Sequence, residues 1–196
     1  PPYILMPHSA SGIYAEFYAS TYPQEVSALI LLDSTTTVLN EKMPEKMPWY
    51  MRAAYNLGKV QQAVGMTRLA YLLVPETKLP INGYTKQEID DYRLFTYHVL
   101  NDTIIEQSML MLESISAVNK IPFPESIPVL KILSQDTMDR MSKKDAEAGM
   151  DYHNKHLARL GSHAVYKVLG GTHFLYQTHA SEIVAIAEAF LQGELR

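Results

Sequence analysis

Short apolar runs that alternate with helical patterns are the feature that most constrains the fold of this chain. Each run is rich in Ile, Leu and Val and is bounded by turn residues, which is typical of buried parallel strands. The runs cover residues 3–6, 28–32 and 128–133, with a weaker one at 164–169. Residues 12–22 and 181–192 carry apolar side chains at helical spacing. This alternation at both ends predicts an α/β fold built on a parallel sheet.

The middle of the chain has a different pattern. Between about residues 38 and 124, apolar residues recur three and four positions apart, and strand signals are few. The predicted helices cover 49–57, 60–73, 86–100 and 102–118. Thr85 followed by Glu88 is a capping box at the start of the third helix. A block of helices between two halves of a parallel sheet predicts an inserted helical cap. The expected domains are therefore 1–37 (core sheet, first part), 38–124 (helical cap) and 125–196 (core sheet, second part).

Composition excludes several classes of function. The chain has 196 residues, of which 47% are hydrophobic and 19% charged, so it can bury a core. Its formal net charge of −4 gives no electrostatic reason to expect a nucleic acid or an anionic membrane as a partner. The absence of cysteine excludes disulfides and a cysteine nucleophile and is compatible with a reducing compartment, so we expect a cytoplasmic location. Metal-binding and phosphate-loop motifs are also missing, so we expect no metal and no cofactor.

The first residues indicate a fragment. The chain opens on Pro1, has no initiator Met or charged leader, and enters an apolar strand at once. We expect the protein to begin well upstream. A sheet lacking part of its strands exposes an edge and an apolar face, which favours association with the missing piece.

Ser9 is the first candidate catalytic residue. The segment Met6-Pro7-His8-Ser9-Ala10-Ser11-Gly12 ends a predicted strand and opens a predicted helix. A serine on such a turn projects its hydroxyl beside the helix N-terminus, which suits a nucleophile. The consensus G-x-S-x-G has glycine where this chain has Pro7 and Ser11. The alternative is that Ser9 is only the N-cap of the helix.

His173 is the second candidate. It lies in Gly170-Gly171-Thr172-His173, after the last predicted strand and before the last helix. A histidine at the C-terminal end of a parallel strand can reach across the sheet to a nucleophile. The other six histidines are weaker candidates, and His8 is expected to point away from Ser9.

With these motifs in this order, the chain resembles the α/β-hydrolase family. The matching pieces are the Ser9 segment, Leu31-Leu32-Asp33-Ser34 after the second strand, and the His173 loop. The resemblance covers the whole chain but only the C-terminal two thirds of the family fold. The N-terminal loop that supplies one oxyanion-hole amide in the family has no match in this sequence, and we expect it to lie upstream. Ala10, which follows Ser9, can still offer its backbone N–H.

The resemblance implies a Ser-His-Asp triad with two candidates for the acid. Asp136 follows the third strand, where the family most often places the acid, but the usual glycine is missing. Asp33 follows the second strand, where some members place it, and we favour Asp33. The structural alternative is that Asp33 only caps a turn at the strand end.

These observations favour a serine hydrolase that cleaves an ester or related acyl bond of a small-molecule substrate. The first alternative is a catalytically incomplete or non-enzymatic fragment that needs a missing N-terminal half. An acyltransferase or a cofactorless oxygenase of the same fold is also open, because fold does not decide function. The sequence gives no information on the acyl chain or the oligomeric state.

Overall fold

The computed structural model describes residues 1–38, 44, 46–73, 85–96 and 98–195. The chain divides into two compact units. The first comprises Pro1–Met43 and Ser114–Arg196, and the second comprises Pro44–Glu113. The predicted division into core and cap at residues 37 and 124 stays a prediction.

The first unit contains a sheet of four parallel strands in the order β1-β2-β3-β4. The strands are β1 (Tyr3–Leu5), β2 (Val26–Leu32), β3 (Val129–Ser134) and β4 (Val165–Leu169). The predicted α/β class with a parallel sheet is confirmed, and the apolar runs are its strands. Because the strands run in the same direction, the residues that follow β2, β3 and β4 meet at one edge of the sheet.

Eight α-helices accompany the sheet in the described part of the chain. They are α1 (Ser11–Thr21), α2 (Trp49–Ala63), α3 (Met66–Leu73), α4 (Lys86–Thr96), α5 (Asp102–Met109), α6 (Met111–Asn119), α7 (Gln135–Leu160) and α8 (Ala180–Leu191). Single turns of 3₁₀ helix cover Pro23–Glu25 and Leu175–Gln177.

Both faces of the two central strands, β2 and β3, are buried. Alternate side chains of β2 point to opposite faces, so Ile30 and Leu32 join a cluster with α8 while Leu29 and Leu31 join one with α1. Leu29, Ile30 and Leu31 have no exposed surface. This two-sided burial explains why β2 is a continuous apolar run rather than an alternating one.

The outer strand β1 is less covered. Tyr3 and Ile4 are 46% and 50% exposed, in contrast to the central strands. Among the residues that the structure describes, no helix has both the length and the apolar character needed to cross a bilayer.

The second unit is helical, as predicted, but its helices end at different places. The predicted break after residue 57 is wrong, because α2 continues through Gly58 to Ala63. The chain instead turns at Gly65, whose φ of +82° is readily adopted only by glycine. The predicted helix over 102–118 is interrupted at Leu110, between α5 and α6.

Local contacts within the second unit agree with the sequence pattern. The capping box is confirmed: the Thr85 N–H donates to Glu88 Oε2 over 2.7 Å, and the Glu88 N–H donates to Thr85 Oγ1 over 3.3 Å. Arg52 on α2 forms a bidentate ion pair with Glu106 on α5. Part of the predicted helix over 86–100 falls on residue 97, which lies outside the described residues.

Candidate active site

Ser9 occupies a strained turn between β1 and α1. Its φ is +55°, a conformation that few residues other than glycine adopt. The turn is held by main-chain hydrogen bonds: the Ser9 N–H donates to Leu32 O, and Ser9 O accepts from the amides of Gly12 and Thr35. The N-cap of α1 is Ala10, and no side chain caps this helix end. Ser9 is therefore not the N-cap serine of the alternative interpretation.

The residues that replace the consensus glycines have hydrogen-bonding roles in this turn. Ser11 Oγ donates to His8 O over 2.6 Å and accepts from the His8 N–H over 3.0 Å. Pro7, which has no N–H, offers its carbonyl to the Leu32 amide at 2.9 Å. Close packing falls on Gly12 instead, where a Cβ would lie 2.6 Å from Ser34 Cβ.

Asp33 follows β2, is 4% exposed and has a φ of +41°. Its Oδ1 accepts from the Ser134 N–H over 3.0 Å. Its Oδ2 accepts from Ser134 Oγ over 2.9 Å and from Thr137 Oγ1 over 2.7 Å. The same Oδ2 lies 2.8 Å from Nδ1 of His173. Four donors therefore surround a buried carboxylate, which stabilises its negative charge.

His173 and Asp33 form a hydrogen-bonded pair with a defined tautomer. A carboxylate can only accept, so Nδ1 of His173 carries the proton and Nε2 keeps its lone pair when the ring is neutral. The His173 side chain is 32% exposed. The preceding Gly171 has a φ of +100°, and its carbonyl accepts from the Asp136 N–H over 3.3 Å. An irregular loop thus carries the imidazole to the edge of the sheet.

Asp136, the other candidate acid, has different contacts. It lies in the first turn of α7, and its carboxylate is 4.0 Å from a guanidinium nitrogen of Arg140, one turn along the helix. Its hydrogen bond to the histidine loop is donated by its backbone amide and does not involve its carboxylate. The structure therefore brings Asp33, and not Asp136, to the His173 ring.

Ser9 and His173 are not hydrogen-bonded to each other within the described residues. They are connected through His8, whose Nε2 lies 2.8 Å from His173 O and whose ring centroid is 4.5 Å from that of His173. Nucleophile–base hydrogen bonds are often loose without substrate. The Ala10 amide has no hydrogen-bond partner in the described part of the chain. Sequence reasoning missed the contact between His8 and His173, which joins positions 165 residues apart.

A second polar cluster lies under α1. Lys131 on β3 is 3% exposed, and its Nζ lies 3.0 Å from Nδ1 of His156 and 3.4 Å from Nδ1 of His153. An ammonium can only donate, so both histidines are neutral and carry their protons on Nε2. Nε2 of His156 donates to Glu16 Oε1 on α1 over 2.8 Å. Nε2 of His153 is buried and finds no acceptor among the described residues.

Glu16 is the negative centre of this cluster and has no exposed surface. Its Oε2 accepts from Thr37 Oγ1 and lies 3.7 Å from Nε of Arg159. The same Arg159 donates to the Val118 and Ile121 carbonyls over 2.7 and 2.9 Å. Glu16 therefore lies beside one cation, Arg159, and one neutral imidazole, His156.

Burial sets the protonation of the cluster. Desolvation lowers the pKa of Lys131 to about 8, against the attraction of Glu16 and Asp33. Desolvation, assisted by the nearby Lys131 charge, lowers the pKa of His153 to about 4. Desolvation also lowers the pKa of His156, although its hydrogen bond to Glu16 acts in the opposite direction. No group of three or more His, Asp or Glu side chains within the described ranges could hold a metal ion.

Comparisons with known proteins identify the fold. No protein-family model matches the chain. The uncharacterised protein YbdG of Bacillus subtilis is 27% identical over 199 residues; the match covers 98% of this chain and 58% of YbdG. The chain thus spans little more than half the length of that relative.

Solved structures identify the fold, at lower sequence identity. A carboxylesterase of the thaumarchaeon Nitrososphaera gargenis aligns with a TM-score of 0.57 at 19% identity, over 96% of this chain and 64% of its own. Potato epoxide hydrolase I aligns with a TM-score of 0.62 at 16% identity, over 97% of this chain and 69% of its own. MenH of S. aureus aligns with a TM-score of 0.56 at 14% identity, over 97% of this chain and 68% of its own. All are α/β-hydrolase fold proteins, and this chain has that fold, as the sequence resemblance implied.

Proposed function

We propose that the protein is a serine hydrolase that cleaves an ester or related acyl bond, with Ser9 as nucleophile, His173 as base and Asp33 as acid. The observation that carries the proposal is the 2.8 Å hydrogen bond between His173 Nδ1 and the buried Asp33 carboxylate. It leaves Nε2 as the basic atom at the end of the sheet where Ser9 occupies its turn. The fold shared with a carboxylesterase and an epoxide hydrolase supports hydrolase chemistry.

The proposed reaction follows from these groups. Nε2 of His173 takes the Ser9 proton while Oγ attacks the carbonyl carbon, and Asp33 stabilises the imidazolium that forms. The tetrahedral intermediate places negative charge on the former carbonyl oxygen. The Ala10 amide, at the positive end of α1, can donate to that oxygen. The intermediate expels the alcohol, which receives the proton from His173, and water then releases the acid from acyl-Ser9 by the same steps.

Covalent labelling of the full-length protein with a fluorophosphonate tests the nucleophile. Ser9 should displace fluoride from phosphorus and carry the adduct, which peptide mass spectrometry locates. Ser9→Ala should abolish labelling, whereas Ser162→Ala, at an exposed loop serine, should leave it unchanged. An unlabelled wild type, or an adduct on another residue, would remove the proposal.

Paired substitutions test the acid. Asp33→Asn replaces the carboxylate by a neutral amide that no longer stabilises the His173 imidazolium and can donate to Nδ1, which favours the wrong tautomer; it should slow hydrolysis of p-nitrophenyl acetate by about 10³- to 10⁴-fold. Asp136→Asn should retain the wild-type rate within a factor of about three, since its carboxylate faces Arg140. Circular dichroism would show that both variants fold. The reverse order of effects would assign the acid to Asp136.

A further inference from the structure

His8 lies between the two halves of the candidate site, which are the Ser9 turn and the His173 loop. It immediately precedes Ser9 and forms an isolated parallel bridge with Leu32 at the end of β2. Its main chain is held on both sides by Ser11, which bonds to the His8 amide and carbonyl. The His8 backbone is therefore part of the Ser9 turn and moves with it.

The His8 side chain contacts the other half of the site, the His173 loop. Nε2 lies 2.8 Å from the His173 carbonyl oxygen, which can only accept, so Nε2 carries a proton. The ring is tilted by 41° against His173 at 4.5 Å and meets Tyr176 edge-on at 5.1 Å. Phe174 lies 5.7 Å away. Burial lowers the pKa of His8, with the hydrogen bond to His173 O opposing it, so His8 is neutral at pH 7.

His173 itself is thus held by two separate hydrogen bonds. The imidazole is held at Nδ1 by Asp33, which determines the direction of Nε2. The main chain of the same residue is held by His8, which belongs to the Ser9 turn. The same loop is also bonded two residues earlier, from the Asp136 amide to the Gly171 carbonyl, so the bond from His8 is the one that acts at the His173 main chain itself. A 1 Å shift of a catalytic group can cost about 100-fold in rate.

We propose that His8 is a positioning residue that holds His173 in register with Ser9 through the hydrogen bond from its Nε2 to the His173 carbonyl. This inference rests on the proposed function. Within the described residues, His8 has no hydrogen bond to Ser9 Oγ or to the His173 ring; it connects the nucleophile turn directly to the main chain of the loop that carries the base. It remains uncharged beside the ring that becomes a cation during the reaction, so it does not oppose that charge.

Two substitutions separate the hydrogen bond from the ring. His8→Phe keeps a flat ring against His173 but has no donor, whereas His8→Gln places an amide N–H within reach of the same carbonyl. In hydrolysis of p-nitrophenyl acetate by the full-length protein, His8→Phe should lower kcat about 10- to 100-fold with KM within about threefold. His8→Gln should recover most of that loss. His163→Phe, at an exposed histidine, is the matched control and should equal the wild type.

The outcomes distinguish this inference from the function on which it rests. A wild type that carries no fluorophosphonate on Ser9 overturns both. A labelled wild type whose His8→Phe variant keeps its kcat overturns the positioning role alone. Equal losses in the Phe and Gln variants overturn it as well, because restoring a donor to the His173 carbonyl would then recover nothing.

A spectroscopic measurement on the wild type keeps the inference testable if a variant fails to fold. Long-range ¹H–¹⁵N correlation of the imidazole rings should show His8 protonated at Nε2 and not at Nδ1. His8→Gln assigns the signal by its disappearance. A neutral ring protonated at Nδ1 cannot donate to the His173 carbonyl and would overturn the proposal.

Discussion

Replacing His153 by phenylalanine should make the first unit more resistant to acid. The imidazole is 2% exposed, its Nε2 has no acceptor in the described part of the chain, and its Nδ1 receives only a long 3.4 Å bond from Lys131. Tyr166 meets the ring edge-on at 4.8 Å, a contact that a phenyl ring retains. The substitution therefore removes a titratable group and an unpaired N–H while keeping the packing.

The size of the effect follows from the pKa of His153, which is about 4 when folded against 6.5 in the unfolded chain. Between these values the unfolded chain binds a proton that the folded chain does not, so stability falls as the pH drops below 6.5. Lowering the pH from 7.5 to 5 should cost the wild type about 2 kcal/mol through this residue. At pH 7.5 the free energy of unfolding of the variant should lie within about 1 kcal/mol of the wild-type value. The substitution loses a long hydrogen bond from Lys131 and gains the removal of an unpaired N–H, and both contributions are small.

Urea unfolding followed by circular dichroism at pH 7.5, 6 and 5 measures the effect. The quantity of interest is the difference in free energy of unfolding between His153→Phe and wild type, which should grow by about 2 kcal/mol towards pH 5. His156 still titrates in both chains, so its contribution cancels. The control His163→Phe changes an exposed ring and should show no such growth. A gap that stays constant within about 0.5 kcal/mol would refute the assignment of a neutral, desolvated imidazole at this position.

Three further predictions concern other contacts. Gly12→Ala should lower the free energy of unfolding by about 1–3 kcal/mol, because the new Cβ would lie 2.6 Å from Ser34 Cβ. Adding Ser34→Gly to the same chain should restore most of the lost stability in urea unfolding, and no restoration would contradict the contact. The stability of the wild type relative to Lys131→Met should rise by roughly 2.5 kcal/mol from pH 8 to 10.5, because the unfolded chain keeps a proton that buried Lys131 has lost. The tyrosines that ionise in this range are the same in both chains, and an equal slope in both chains would exclude this origin. Asn101→Ala removes the side-chain acceptor of the Ile104 amide at the start of α5 and should destabilise that helix by about 1 kcal/mol, measured as faster hydrogen exchange in α5. Asn101→Ser should recover the lost stability, and unchanged exchange in Asn101→Ala would show that the cap is unimportant.

The sheet and its connections could be predicted from the sequence because each strand leaves a strong local signal. β2 and β3 are buried on both faces, so burial produces runs of apolar residues, interrupted within β3 only by Lys131. The break within the second unit could not be predicted, because Gly58 and Gly65 look the same in sequence. Gly58 is helical and faces Leu100, where a Cβ would lie 2.8 Å from a methyl carbon. Gly65 alone has the positive φ that ends the helix.

The candidate site was predictable to the extent that motifs mark strand ends. Ser9, Asp33 and His173 each follow a strand or its loop, and parallel strands bring such residues to one edge. Sequence alone left Asp33 and Asp136 open, because both positions satisfy that rule. The difference arises from side-chain contacts: Asp33 is buried among donors, while Asp136 points to Arg140 on its own helix.

The cluster under α1 shows a kind of information that local patterns do not contain. Glu16 and His156 are of residue types that usually lie at the surface, yet neither has exposed surface. The one available signal was Lys131, a cation inside an apolar strand, since a buried charge requires partners. Such a signal demands partners without identifying them. Because the partners found are on α1 and α7, the helix that follows Ser9 is held by directional polar bonds as well as by apolar contact. Apolar packing tolerates small shifts, whereas a hydrogen bond of 2.8 Å does not, so this cluster restricts the position of α1 and with it the turn that carries Ser9.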